Sequence, residues 1–259
     1  MLEGRLVTIT YAVTNVGSPN LSWCMSHEAD RIPQLREVRA EVHHAHAQQN
    51  SALLSLLETG VEIMKVLVGC EYSGIVRQAF SDLGHDAWSC DIIASDDNSP
   101  KHLIEDVRNV IHWQDWDLAI FHPPCTYLAV SGIHWNTRIE GREEKTREAI
   151  EFVQELMDAN IPRICIENPR SVISSRIRKA DQMVHPYHFG EPYTKGTCLW
   201  LKNLRKLQPT NVVAPVGPYP EFYLGPNDPV RAKKRSRFFH GMARAMAEQW
   251  SHPTLEEWI

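Results

Sequence analysis

The chain has 259 residues, a net charge of −5, 43% hydrophobic residues and 23% charged residues, which is ordinary for a globular domain with a sizeable core. It has no apolar run near the roughly 18 residues that span a bilayer, and its first residues lack the apolar core of a signal peptide, so we expect a cytoplasmic protein without a membrane partner. Its six cysteines include no Cys-x-x-Cys pair, which argues against a zinc site and against a disulfide framework.

The predicted elements follow a change of character at Met64. Residues 1–63 have polar helical patterns, and we expect them to form an N-terminal helical extension to a domain over residues 64–259. The predicted strands are Lys65–Gly69, Ala87–Asp91, His102–Val107, Asp117–Phe121, Arg163–Glu167 and Thr197–Leu201, and the predicted helices are Ile75–Gly84 and Glu143–Ala159. This alternation predicts an α/β domain with a mostly parallel sheet, helices on both of its faces, and ligands at the carboxyl ends of the strands.

Cys125 is the one cysteine that stands where a predicted strand ends and a loop begins. Pro123 and Pro124 precede it, and two prolines stiffen a turn and fix the direction of the next side chain. A thiol is only a few per cent ionised at neutral pH, but the thiolate is a strong nucleophile. A reactive nucleophile and a structural cysteine behind a rigid turn both fit this segment taken alone.

Glu167 is an acid at the end of the predicted fifth strand, followed by Asn168 and Pro169, which we expect to turn the chain out of the strand. Burial of an acid is unfavourable unless it has a partner or a task. Burial also raises the pKa of a carboxyl group in general, and a carboxyl group that keeps its proton can donate it to a ring nitrogen. A helix-capping or salt-bridged glutamate is the alternative.

Considered together, Cys125 and Glu167 suit methylation of a pyrimidine at carbon 5. A thiolate attacks carbon 6 of the ring, and an acid at ring nitrogen 3 makes the ring electrophilic. Carbon 5 of the resulting enamine then accepts a methyl group, a base removes the proton from carbon 5, and the cysteine leaves. One thiol and one carboxyl group on neighbouring loops are the minimum that this chemistry requires.

Over residues 65–250 the chain resembles the DNA cytosine-5 methyltransferases. The segment Pro124–Gly132 is similar to their Pro-Cys-Gln-x-Phe-Ser-x-x-Gly motif, with Thr126 in place of the glutamine, and Glu167-Asn168-Pro169 is similar to their Glu-Asn-Val motif. Val68–Gly74 resembles their glycine-rich first loop, and Phe189–Thr197 resembles their Tyr-Gly-x-Pro-Gln-x-Arg-x-Arg segment. The resemblance implies a Rossmann-like methyltransferase sheet, with Cys125 as nucleophile and Glu167 as its partner on the base.

The resemblance also implies S-adenosyl-L-methionine as cofactor, with no metal. It places Asp91 at the acid that contacts the cofactor ribose and Asp106 at the acid near the adenine. The residues that we expect to bind the cofactor are Gly69, Glu71, Ser73, Gly74, Asp91, Asp106 and Pro123.

DNA is the expected partner, and its binding is expected in the basic C-terminal third. Residues 163–244 contain 15 Lys and Arg against 5 Asp and Glu, a balance of +10 that leaves −15 for the rest of the chain. Such asymmetry is typical of a face that meets a polyanion, although solvated helices with uneven charge are an alternative. The expected DNA-binding residues are Ser131, Lys195, Thr197, Lys233, Lys234, Arg235 and Arg237. Tyr127, Trp135 and Trp200 are candidates for stacking on bases, and we expect a monomer.

Two departures from the family limit what the resemblance implies. Lys195 and Thr197 stand where arginines are usual, and a lysine cannot form the bidentate fork of an arginine. Only about 23 residues, Gln208–Val230, are available for target recognition, and their Pro and Gly content predicts a loop. A short sequence context, a single-stranded substrate or an unusual substrate therefore becomes more plausible.

Three alternatives remain open on the sequence. The chain could methylate a free pyrimidine nucleotide, which the short recognition region favours and the basic third opposes. It could be a catalytically silent nucleic-acid-binding relative. It could also be an amino methyltransferase, because His122-Pro-Pro-Cys125 resembles the Asp/Asn/Ser-Pro-Pro-Tyr/Phe motif of that class, although such an enzyme needs no thiol and leaves Glu167 unexplained.

Overall fold

The structure is a computed structural model in which residues 62–220 and 231–251 are described. The predicted N-terminal extension lies outside these residues except for its last two, 62 and 63, and so do residues 221–230 of the predicted recognition loop. Within the described ranges, no helix combines the length and the apolar character needed to cross a membrane.

A seven-stranded sheet forms the centre of the domain. Its strands are β1 (Lys65–Gly69), β2 (Asp86–Asp91), β3 (His102–Ile104), β4 (Leu118–Phe121), β5 (Arg163–Pro169), β6 (Gln182–Val184) and β8 (Thr197–Lys202). Their order is β3-β2-β1-β4-β5-β8-β6, in which β3 to β5 pair in parallel while β8 runs antiparallel to both of its neighbours. The predicted α/β class and the mostly parallel sheet are confirmed, and the strand order is compatible with a Rossmann-like fold.

The remaining elements are short apart from three helices. The helices are α1 (Ile75–Asp82), α2 (Val107–Val110), α3 (Arg142–Met157), α4 (Ile173–Arg176), α5 (Arg231–Ser236) and α6 (His240–Trp250), with 3-10 turns at Cys125–Tyr127, Val130–Thr137 and Pro186–His188. Strands β7 (Tyr193–Thr194) and β9 (Gly217–Pro218) form a separate parallel pair. The predicted loop from Gln208 onward is therefore irregular up to residue 220 except for β9.

Helices cover both faces of the sheet, as the alternation along the strands requires. On β1, Val66 and Val68 pack on one face into a core with α1 and α6, while Leu67 packs on the other face with α2, α3 and α4. Strands β4 and β5 divide their side chains between the same two cores. Because the central strands are buried on both sides, they appear in the sequence as continuous apolar runs.

The predicted strands differ from the structure at their ends and in their number. Strand β5 continues through Asn168 and Pro169, which pair with β8, so Glu167 lies inside the strand and not at its end. Strand β3 stops at Ile104, because Asp106 caps α2 by accepting a hydrogen bond from the Arg108 amide at 3.0 Å. The short strands β6, β7 and β9 were not predicted, since two or three residues carry too little periodicity to recognise.

The strand order reverses between β1 and β4, and the carboxyl ends of these strands face the loops that carry the candidate residues. Open α/β sheets bind ligands in the crevice at such a switch point. Gly69 ends β1 so close to β4 that a Cβ atom built on it would lie 2.5 Å from Cδ1 of Phe121. Only a glycine fits there without displacing the ring.

Candidate active site

Cys125 opens the 3-10 turn that follows β4 and is exposed to solvent. The Leu128 and Ala129 amides donate to its carbonyl at 3.1 and 2.9 Å, which closes the turn. Before it, the His122 amide donates to the Gly69 carbonyl at 2.9 Å, so the Pro-Pro-Cys segment starts from the end of the sheet. The cysteine is therefore presented at the carboxyl edge, as its sequence position predicts.

Glu167 projects from β5 toward the same edge and pairs with His122. Nδ1 of His122 lies 3.0 Å from Oε2 of Glu167, and the two side chains are only 11% and 13% exposed. The other ring nitrogen, Nε2, is buried and has no hydrogen-bond partner within the described residues, and the ring packs against Phe238 at 4.8 Å. Because a carboxylate oxygen can only accept, we assign Nδ1–H of His122 as the donor to Glu167.

Asn168 links β5, which carries Glu167, to the turn that carries Cys125. Its side chain is almost completely buried, and Nδ2 donates to the Pro123 carbonyl at 2.8 Å. This hydrogen bond connects Pro123, in the rigid segment before Cys125, to Asn168, the residue after Glu167. Sequence reasoning treated Asn168 only as part of a strand exit, and it missed His122 as the partner of Glu167, because neither contact is local in the chain.

The charges around Cys125 show which groups share its site. Although solvent reaches the residue, desolvation by the surrounding protein raises the pKa of the Cys125 thiol, and the Glu167 carboxylate raises it further. The cations of Arg235 and Lys195 act in the opposite direction. Nζ of Lys195 also donates to the Arg235 carbonyl at 3.1 Å. One thiol, one carboxylate and two cations therefore lie within electrostatic range of each other.

We expect Arg235→Gln to slow alkylation of Cys125 by iodoacetamide at pH 7.5 by roughly two- to threefold. Loss of the cation raises the thiol pKa, and at a pH below that pKa a smaller fraction of the sulfur is then thiolate. Peptide mapping of the alkylated protein measures the rate at Cys125 alone. Lys234→Gln on the same helix is the matched control. An equal slowing in both variants would show that the net charge of the protein, and not the position of Arg235, sets the alkylation rate.

The loop after β1 carries three of the predicted cofactor residues, Glu71, Ser73 and Gly74, and Glu71 accepts most of its hydrogen bonds. This buried carboxylate accepts hydrogen bonds from the Val76 and Arg77 amides at 2.7 and 3.2 Å and from the Ser73 hydroxyl at 3.1 Å. Gly74 takes a φ of +70° at the start of α1, a conformation that suits glycine. The Glu71 carboxylate therefore caps the start of α1, and Ser73 supports it. The oxygens of Glu71 are bonded to the helix amides.

Asp91 ends β2, and Asp106 caps α2 two residues after the end of β3. Desolvation raises the pKa of Asp91, while the amides of Ile93 and Ile92 and the imidazoles of His102 and His122 act to lower it. Asp106 forms an ion pair with Arg108 at 2.6 Å, and the hydrogen bond from that guanidinium holds the pKa of Asp106 below its usual range. Desolvation raises the pKa of the half-buried Cys70 thiol, and the carboxylates of Asp91 and Asp106 raise it further, so both acids lie near the turn after β1. Their contacts with the cofactor remain predictions.

The predicted DNA-binding residues fall into two groups. Ser131, Lys234 and Arg237 are exposed, and Lys233 is exposed but paired with Asp96 at 2.6 Å. Thr197 is buried and its hydroxyl donates to the Lys195 carbonyl at 3.3 Å, so it supports Lys195 and is not presented to a ligand. Trp200 is also buried, with its ring N–H donating to the Arg178 carbonyl at 2.8 Å, so the prediction that it stacks on a base was wrong.

Comparisons with known proteins give no family for the chain. No protein-family model matches it, and no curated protein matches it significantly. Among residues 62–220 and 231–251, no group of three or more His, Cys, Asp or Glu side chains is arranged to hold a metal ion. The site geometry is therefore the basis for any functional proposal.

Proposed function

We propose that the chain is an S-adenosyl-L-methionine-dependent DNA (cytosine-5-)-methyltransferase with Cys125 as nucleophile and Glu167 as the group that meets ring nitrogen 3. The observation that carries the proposal is that an exposed thiol and a largely buried carboxylate lie at one edge of the sheet, on a turn and a strand that the Asn168–Pro123 hydrogen bond joins. The thiol and the carboxylate interact electrostatically at the carboxyl edge of the sheet. A cytosine ring presented there would meet both reacting groups.

The residues at the neighbouring strand ends fit the proposed cofactor. Asp91 offers a partly exposed carboxylate for a ribose diol, and the exposed side chains of Ile92, Ile93 and Ile104 offer apolar surface for a flat heterocycle. When bound, S-adenosyl-L-methionine supplies an electrophilic methyl group at its sulfonium centre.

In the proposed reaction, the sulfur of Cys125 forms a bond to carbon 6 of cytosine, and the carboxyl group of Glu167 gives a proton or a hydrogen bond to nitrogen 3. His122 orients that carboxyl group through its Nδ1–H. Lys195 and Arg235 favour the thiolate form of Cys125. Once carbon 5 carried the methyl group, a base would take the proton from carbon 5, the electrons of that bond would restore the carbon 5–carbon 6 double bond, and the carbon–sulfur bond would break to return the thiolate.

The proposal includes a monomer that binds DNA through exposed cations beside the site. Lys234 and Arg237 are exposed on and after α5, and the Lys233 carbonyl accepts a hydrogen bond from Tyr72 in the loop after β1. This helix therefore lies between the proposed cofactor loop and Cys125. Phosphate contacts from such residues would make DNA binding fall steeply with salt.

The test is methyl transfer from isotopically labelled S-adenosyl-L-methionine to cytosine-containing DNA, followed by nucleoside mass spectrometry. We expect label in 5-methylcytosine. Label in N4-methylcytosine or N6-methyladenine would instead support an amino methyltransferase, and no transfer to any substrate would leave a silent nucleic-acid-binding relative.

Methylation of a free pyrimidine nucleotide is the second candidate. The observation that favours it is the short segment between Gln208 and Val230, which offers little chain for reading several base pairs. A parallel reaction with dCMP separates the two candidates. Faster transfer to dCMP than to polymeric DNA would replace the first proposal with the second.

A further inference from the structure

Exposed apolar side chains are concentrated on the segment that follows Cys125. Val130, Trp135 and Ile139 are 48%, 44% and 49% exposed, and they lie within ten residues of each other. Single exposed apolar residues are normal on a protein surface, but a cluster of them beside a reactive group is typical of a binding surface. We call the exposed segment that carries these three residues the Trp135 face.

Hydrogen bonds order the backbone of the Trp135 face. The Arg138 and Ile139 amides donate to the Trp135 carbonyl at 3.0 and 2.9 Å, and Nδ2 of Asn136 donates to the Thr146 hydroxyl of α3 at 2.8 Å. The backbone that carries the indole is therefore held in place before any ligand arrives. A preorganised aromatic ring loses little conformational entropy when a flat partner stacks on it.

An aromatic side chain and a cationic side chain lie next to the indole. The His134 ring lies 4.9 Å from the Trp135 ring, and the Arg138 guanidinium lies 5.6 Å from its centre. Next to Cys125, the Tyr127 ring contacts the guanidinium of Arg142 at 4.9 Å. Interleaved aromatic and basic side chains are the pattern with which proteins hold bases by their faces and phosphates by their charge.

Backbone contacts connect this face to the loop after Glu167. The Val130 amide donates to the Arg170 carbonyl at 3.0 Å, and the Val172 amide donates to the Leu128 carbonyl at 2.9 Å. Ala129 forms a β-bridge with Ser171 between these two hydrogen bonds. The Trp135 face is thus fixed relative to both Cys125 and Glu167.

We propose that the Trp135 face is a stacking platform for an unpaired base of single-stranded DNA that lies next to the target cytosine. In duplex DNA the neighbouring base pairs cover the faces of each base, so an exposed indole can stack only on bases that are not paired. The short segment between Gln208 and Val230 agrees with a substrate that needs no long groove-reading region. The inference rests on the proposed function for its target base and names the substrate class of that site.

The experiment compares the full-length protein with Trp135→Ala in binding fluorescently labelled oligo(dC), the matching duplex and oligo(rC) at fixed salt. We expect Trp135→Ala to weaken oligo(dC) binding by about 5- to 150-fold, the range for loss of one stacked base, and to leave duplex binding within about twofold. Trp135→Phe should retain most of the affinity. Trp113→Ala is the matched control, because this exposed tryptophan precedes β4 and lies at the opposite edge of the sheet.

Three results would overturn the inference: unchanged oligo(dC) binding in Trp135→Ala, equal loss for strand and duplex, or wild-type binding of oligo(rC) as tight as that of oligo(dC). Sedimentation of the same variants tests a second copy of the chain as the occupant, and dissociation of a wild-type dimer by Trp135→Ala would also overturn it. Methylation of single-stranded oligo(dC) that is unchanged in Trp135→Ala removes the platform and leaves the proposed function standing. Trp135-dependent binding without methyl transfer removes the proposed function alone.

Discussion

Cys125→Ala should abolish the covalent complex with DNA that contains 5-fluorocytosine and should lower methyl transfer to normal DNA by at least about 10³-fold. A fluorine at carbon 5 cannot leave as a proton, so a nucleophile that has attacked carbon 6 stays attached to the base. Cys125 is the exposed cysteine among the described residues, while Cys90, Cys165 and Cys198 are buried. The measurement is a mobility shift on denaturing gels, with the modified peptide identified by mass spectrometry.

Cys165→Ala is the matched control for that prediction. Cys165 lies in β5, two residues before Glu167, and its thiol is buried in the core with α1 and α6. Removing the sulfur leaves a small cavity that we expect to lower the free energy of unfolding by about 1 kcal/mol, with the covalent complex still formed. A complex that persists in Cys125→Ala would place the nucleophile elsewhere and would remove the proposed mechanism.

The sheet could be predicted from the sequence because its central strands are buried on both faces. The apolar runs of β1, β4 and β5 stand out for that reason, and the helices between them place their carboxyl ends at one edge. The positions of Cys125 and Glu167 at this edge follow from that topology. A local pattern was enough for these features, since each depends on residues that are neighbours in the chain.

The contacts that complete the site could not be predicted in the same way. The His122–Glu167 pair joins residues 45 apart in the chain, and so does the hydrogen bond from Asn168 to Pro123. Local reasoning also ended β5 too early, because Pro169 lacks a backbone donor and usually ends a strand. Pairing with β8, which runs antiparallel, extends the strand by two residues. Long-range pairing in the fold, and not local propensity, decides each of these details.

Glu167→Gln should change two rates at the same site in opposite directions. We expect methyl transfer to fall by about 10²- to 10⁴-fold, the usual contribution of a positioned general acid, because an amide cannot give a proton to nitrogen 3. Alkylation of Cys125 by iodoacetamide needs no acid. It should become faster at pH 7.5, because loss of the Glu167 carboxylate lowers the pKa of the thiol and increases its thiolate fraction.

The opposite signs separate a chemical role from a structural one. A glutamine keeps the shape of Glu167, and its side-chain oxygen can still accept the hydrogen bond from Nδ1 of His122, so the loop geometry should survive. If both rates fall together, the variant has displaced Cys125, and Glu167 acts by positioning the turn after β4. If alkylation rises while methyl transfer is unchanged, the carboxylate lies near the sulfur but does not act on the base. Only a fall in methyl transfer with a rise in alkylation agrees with a carboxyl group that serves the pyrimidine while it opposes ionisation of the thiol.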